Sequence, residues 1–223
     1  MKRKILPLLA AVVCVLFVFT GCEEQEFVQK SYSADAESVR SLTLSAADRE
    51  VEVESCEGTE IGIYYSESEK EHFEISLSEE GELVMSLVTD KVWTDYFGTK
   101  PSLENRRIRI RIPKGVPEDL SISVTNEKLV LSDVEIGGEL SLSSNGGDIS
   151  LNAVSVGKGL EASAKNGDIV GSLVGGWDDF SIDCKTKKGE CNLPANKAGG
   201  EKFLRINCNN GDVRVEFIGA FAG

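Results

Sequence analysis

Residues 140–154 read LSLSSNGGDISLNAV, and residues 160–174 read LEASAKNGDIVGSLV. Ahead of each Asn-Gly turn the inward-type residues fall at alternate positions, Leu140/Leu142/Ser144 in one copy and Leu160/Ala162/Ala164 in the other. Behind it they resume at Ile149/Leu151 and Ile169/Gly171. A period of two marks a strand with one buried face. Asn-Gly followed by Asp is the chemistry of a tight turn that accepts positive φ. Each copy therefore reads as strand, turn, strand.

Working outward, the same unit recurs. Asn126-Glu127-Lys128-Leu129 is a degenerate earlier copy, Lys188-Gly189-Glu190-Cys191 a later one with a longer turn, and Asn210-Gly211-Asp212-Val213 the last. The residue after each turn falls at 129, 149, 169, 191 and 213, giving spacings of 20, 20, 22 and 22. The strands before the turns keep their columns in Leu120/Ile122/Val124, Phe180/Ile182/Cys184 and Leu204/Ile206/Cys208. After the turns the apolar offsets are 0, 2 and 5, as in Leu129/Leu131/Val134, Ile149/Leu151/Val154, Ile169/Gly171/Val174 and Val213/Val215/Ile218. A meander of hairpins gives no cause for such column identity. Stacked rungs do, because each residue lies ~4.8 Å from its equivalent in the next rung. The expected fold is all-β: a single-domain, β-helix-like β-solenoid with rungs of 20–22 residues and Asn-Gly-Asp turns, covering residues 37–223. Residues 37–113 alternate less regularly, in Val51/Val53, Ile61/Ile63/Tyr65, Leu83/Met85/Leu87 and Ile108/Ile110/Ile112.

The alternating strand that ends in Ile112-Pro113-Lys114-Gly115, followed by repeated Asn-Gly-Asp-Ile turns, resembles the bacterial "putative adhesin" family, a domain of unknown function. The resemblance spans roughly residues 39–218. It implies a β-solenoid at the cell envelope, often beside stress-response systems, and it implies no catalytic residues.

An address precedes the domain. Lys2, Arg3 and Lys4 lead an uncharged, apolar stretch over residues 5–19, which is short for a membrane span and right for an export signal. It ends in Phe19-Thr20-Gly21-Cys22, which resembles a lipoprotein lipobox with Phe in place of the usual Leu. The expectation is a signal peptide over residues 1–21, lipidation (palmitate) of Cys22, and an acidic tether over residues 22–36. The product is extracytoplasmic and held to the bacterial cell membrane.

Composition narrows the chemistry. The formal charge is −13, from 24 Lys plus Arg against 37 Asp plus Glu, so no nucleic-acid partner is expected. A single histidine removes most His-dependent catalysis. The repeated acids Asp148, Asp168, Glu190 and Asp212 are candidate ligands for Ca²⁺, which takes several oxygens; the plainer reading is that they serve the turns. Their even spacing also suits a polysaccharide-acting carboxylate pair, but such a pair needs two unlike environments and every rung offers the same acid. Cys184 and Cys208 share a column and are candidates for a disulfide, with Cys184–Cys191 the competing pair and free thiols the third option. Trp93, Tyr96 and Phe97 interrupt the alternation in a loop and are candidate partner contacts, or a cover for the core. Arg107, Arg109 and Arg111 share one outward face. The apolar end of residues 217–223 reads as a poor cap, so self-association is expected. The functional expectation is a non-catalytic, adhesin-like binding or scaffolding module for a surface protein or polysaccharide. The alternative is an envelope-stress sensor that contacts a membrane protein.

Overall fold

The computed structural model describes residues 26–96 and 100–219. The export signal, Cys22 and Phe97 lie outside the described residues, as does the side chain of Tyr96. In chain order the strands are β1 (Phe27–Asp35), β2 (Ser41–Ala46), β3 (Glu50–Cys56), β4 (Glu60–Ser68), β5 (Glu71–Leu77) and β6 (Glu82–Thr89). Next come β7 (Arg107–Pro113), β8 (Asp119–Val124), β9 (Leu129–Ser132), β10 (Glu135–Ile136), β11 (Glu139–Ser144) and β12 (Ile149–Val156). The last six are β13 (Gly159–Ala164), β14 (Ile169–Val174), β15 (Phe180–Lys188), β16 (Asn196–Lys197), β17 (Lys202–Asn210) and β18 (Val213–Ile218).

These strands build the expected solenoid. One face is the parallel stack β6–β2–β8–β11–β13–β17–β15. The other is the parallel stack β7–β3–β9–β12–β14–β18. Register puts like on like. Leu83, Leu42, Leu120, Leu140, Leu160, Leu204 and Ile182 form one interior column, and Met85, Leu44, Ile122, Leu142, Ala162, Ile206 and Cys184 the next. Opposite them run Ile108, Val51, Leu129, Ile149, Ile169 and Val213, all buried. The alternation in sequence is thus the inside and outside of a two-faced stack, and burial of these columns is its main stabilising term. A short third side begins where β10 pairs in parallel with the end of β12.

Rung order departs from chain order at both ends. The first rung, β2/β3, lies between β6/β7 and β8/β9, and the last rung, β17/β18, lies between β13/β14 and β15. Antiparallel strands then cover the open edges: β5 on β6, β4 on β7 with β1 outside it, and β16 on β15. The C-terminal strand β18 is therefore interior to the stack rather than a poorly capped end. Its Phe217 packs against Trp177 at a centroid distance of 5.6 Å and against Phe180 at 5.2 Å.

Three expectations are corrected. Much of the expected tether is strand: β1 pairs with β4 from Phe27↔Ser68 to Asp35↔Glu60, because Tyr32 and Ala34 alternate toward the core. Adjacent strands β15 and β17 pair two residues out of the expected cysteine column, so that Cys184 faces Ile206 and Cys208 faces Thr186. In the second copy the buried residue is Leu173, not Val174, since β12 carries an extra residue at Ala153 (φ 52°) that β14 lacks, and Val154 pairs with Leu173.

Candidate functional site

The Asn-Gly-Asp turns form one edge of the stack, and each of their residues has a separate job. The asparagines link along the edge, Asn166 Nδ2 donating to the Asn145 carbonyl (3.0 Å) and Asn210 Nδ2 to Asn166 Oδ1 (2.8 Å). The glycines permit close backbone approach. A Cβ on Gly167 would lie 2.2 Å from the Gly147 carbonyl oxygen, and one on Gly211 would lie 2.2 Å from that of Gly167. The acids accept amides from the neighbouring rung: Asp168 N–H donates to Asp148 Oδ1 (3.0 Å), Asp212 N–H to Asp168 Oδ1 (2.8 Å) and Glu190 N–H to Asp212 Oδ1 (2.9 Å).

That geometry decides the acidic ladder. Its spatial order is 148, 168, 212, 190, and three of its four carboxylates each satisfy a turn amide that has no strand partner. Arg214 adds an ion pair to Asp212 (2.9 Å) and a longer one to Glu190 (3.8 Å). Among the described residues no three Asp, Glu, His or Cys side chains could hold a metal ion together. The structure therefore gives Asp148, Asp168 and Asp212 to the backbone and does not assemble the four acids into a Ca²⁺ cage.

The cysteines meet differently from the column expectation. Cys184 Sγ lies 3.0 Å from Cys191 Sγ, while the Cys208 thiol donates to the carbonyls of Gly211 (3.2 Å) and Gly167 (3.5 Å). Burial, followed by the neighbouring Cys191, pushes the Cys184 thiol up to about 12. Burial raises that of Cys208 as well.

In the aromatic loop, Trp93 is 74% exposed and Val92 57%. Asp95 fixes the turn beneath them by accepting from Lys70 Nζ (2.5 Å) and from the Val92 N–H (2.9 Å). The Lys70 hydrogen bond, then that of Val92, holds the Asp95 carboxyl below the ordinary carboxylate range. Trp177, by contrast, covers the far end of the stack, edge-on to Phe217 and under Lys197 Nζ (5.4 Å). The three arginines of β7 are paired in register with Glu50, Glu52 and Glu54 of β3, at 2.8, 3.4 and 3.1 Å, so their face is charge-compensated.

Sequence reasoning missed two groups. Arg49 is almost wholly buried beside Glu71 (3.4 Å), which Lys91 also reaches (2.8 Å); only contacts far apart in sequence bring these three together. The other is the outer surface of the first face. There Ser86, Ser45, Ser123, Ser143 and Ser163 stand in one register column, with Thr43, Ser121 and Ser141 beside them. The alternate polar positions in the sequence carry that signal. A surface cleft of about 540 Å³ lies near one corner, lined by Glu37, Glu79, Glu80, Glu118 and Arg40 among others, with neither thiol nor imidazole in its wall.

Comparison with known proteins agrees with this architecture. A crystal structure described as a putative cell adhesion protein from Clostridium sporogenes ATCC 15579 superposes with a TM-score of 0.62 at 11% identity, over 86% of this chain and 100% of that one. That likeness shows the shared fold. A putative adhesin from Bacteroides fragilis NCTC 9343 aligns over 86% of this chain and 97% of its own at 10% identity, with a TM-score of 0.35 that adds nothing to the fold argument. No curated protein matches the chain. The Toastrack DUF4097 family matches residues 39–216, almost the whole of the stack, and the chain belongs to that family.

Proposed function

We propose that the protein is a lipid-anchored, extracytoplasmic module that binds by contact and catalyses no reaction. The observation that carries this reading is the outer surface of the first face. Parallel strands there present small hydroxyl side chains in straight columns at strand spacing, ~4.8 Å, and no bulky side chain interrupts the five-serine column. A flat, repeated, polar surface suits an extended partner, a polysaccharide or a surface protein, better than a compact substrate. The solved structure of the same fold that is described as a putative cell adhesion protein supports the same reading.

Anchoring at Cys22 is part of the proposal, and the fold sharpens it. With β1 beginning at Phe27, only residues 23–26 separate the anchor from ordered strand. Five steps of extended chain reach at most about 18 Å, so the domain would stand close against the membrane rather than on a long stalk. Labelled palmitate with a Cys22→Ala variant tests the anchor, and undiminished label in the variant removes it.

The binding surface is tested by presenting the full chain to intact envelopes and crosslinking. Ser123→Arg and Ser143→Arg in the middle of the serine column should reduce capture of external polymer or surface protein, leaving the thermal midpoint nearly unchanged. Unchanged capture would sink the serine face, and trapping of a membrane protein alone would favour the sensor reading.

A further inference from the structure

We propose that Cys184 and Cys191 form a disulfide that closes the β15 rung, the terminal rung of the stack. The sulfurs already touch at 3.0 Å, one from β15 on the first face and one from the short segment that continues the second face. In the neighbouring rung the residues at those two positions are Ile206 and Val213, both buried, which pack within the core. The β15 rung is the terminal one, and among the described residues no further rung covers it. Its second face is no full strand but a bridge from Cys191 to Val213, extended by Asn192, whose side chain pairs with both the N–H and the carbonyl of Val215 (3.0 and 2.9 Å). A covalent link across the two faces would replace packing that the missing rung cannot supply.

The chemistry is thiol–disulfide exchange with a small or protein disulfide donor, R–S–S–R. Cys191, the more exposed of the two, loses its proton to solvent and attacks one sulfur of the donor. The donor S–S bond breaks, a Cys191–S–S–R bond forms, and R–S⁻ leaves and is protonated. Deprotonated Cys184 then attacks Cys191 Sγ, expelling the second R–S⁻. Two protein thiols have lost two electrons and two protons, and the donor has become two R–SH. Burial raises the Cys184 thiol pKa, so this second step quickens as pH rises. Persistence of the bond in the cell rests on the extracytoplasmic reading above.

The sequence provides a clean readout. Trypsin cuts after Lys185 and Lys188, so the two cysteines leave in separate peptides, 166–185 and 189–197, joined only by the bond. The full chain is reduced, equilibrated with glutathione disulfide, denatured, alkylated and digested. The expected result is complete loss of alkylation at positions 184 and 191 with recovery of the linked peptide pair, retained in Cys208→Ser and abolished in Cys191→Ser. Alkylation at both positions after equilibration, or a 184–208 link, overturns the proposal. The same digest on protein taken from cell envelopes under alkylation tests the location separately. A pair that closes with glutathione disulfide yet is recovered as thiols from cells supports the disulfide geometry and counts against the extracytoplasmic reading.

Discussion

From β8 to β14 the chain climbs one rung at a time, with β11, β12, β13 and β14 each lying on the strand about 20 residues before it, whereas at the two ends the rungs are shuffled. In the middle, the turn that makes a rung also stacks it: the Asp, Gly and Asn of one copy touch those of the next. At the carboxy-terminal end the same turns still stack, but on a partner chosen by what each rung can cover. The β15 rung has no complete second-face strand and an antiparallel β16 on its edge, so it makes a good lid and a poor interior layer. The β17/β18 rung has both faces and slots inside. Local chemistry sets rung shape, and the completeness of each rung sets its position.

The sharpest way to break the middle while sparing the ends is to put a side chain on the turn edge. Gly167→Val places a Cβ 2.2 Å from the Gly147 carbonyl oxygen and 2.5 Å from its carbon, both backbone atoms that cannot swing away. The expected cost is at least about 4 kcal/mol, read as loss of the cooperative denaturant transition. Gly199, on the loop that leads out of the cap, has nothing within 4 Å of its Cβ but a φ of +91°. Gly199→Ala should cost about 1 kcal/mol, from backbone strain alone.

Core truncation separates the regions by a smaller margin. Leu140 is fully buried between Leu120 and Leu160, and Leu140→Ala should lower stability by about 3–5 kcal/mol. Leu193, on the cap beside Cys191 and 7% exposed, sits at an edge that can collapse around the gap. There the loss should fall near about 2 kcal/mol. Equal losses at the two sites would mean that the cap is packed as rigidly as the interior.

The same contrast explains what could be read from the sequence. Column identity and turn spacing were legible because in a parallel stack every residue's main neighbour is its own equivalent, as Leu120, Leu140 and Leu160 show. Rung order was not, because Leu204 satisfies the column equally well next to Leu160 or next to Ile182, and it touches both. The cysteine pair was misplaced for a different reason: β15 and β17 are neighbours in either order, but their register is offset by two residues, so Cys184 lies against Ile206 and Cys208 against Thr186. The β1 strand was hidden by its exposure on nearly every position, since only antiparallel pairing with β4 organises it. The four acids do follow one another along one edge, but the partners of Asp148, Asp168 and Asp212 are amides of the next rung, which no sequence spacing displays.

Those amides give the third test. Asp168→Ala leaves the Asp212 N–H without its acceptor in the middle of the edge and should cost about 1–3 kcal/mol. Glu190 ends the ladder, and among the described residues no amide hydrogen bond to its carboxylate continues it, so Glu190→Ala should stay within about 0.5 kcal/mol. Thermal melts with calcium and with chelator should superimpose for both, because the acids are turn residues. A calcium-dependent rise in the midpoint that is lost in Asp168→Ala would restore the cation reading.

The smallest effect lies at the opposite end, in the loop between β6 and β7. Its turn is held by Asp95, whose carboxyl accepts from Lys70 and from the Val92 amide. Because those bonds hold the Asp95 carboxyl below its ordinary range, their contribution is complete above the ordinary carboxylate pKa and is lost as pH falls through the lowered value. Acidification should therefore loosen this loop locally. Trp93 sits on that turn and the chain's other tryptophan is Trp177, so a Trp177→Phe background isolates its emission. The expected outcome is an emission change on the acid side that precedes loss of the β-sheet circular dichroism signal. Asp95→Asn should show the acid-state emission already at neutral pH, with the stack intact. If Trp93 emission instead tracks global unfolding in both proteins, the loop is welded to its end rung, and the ends of this solenoid are less separable from its middle than their swapped order implies.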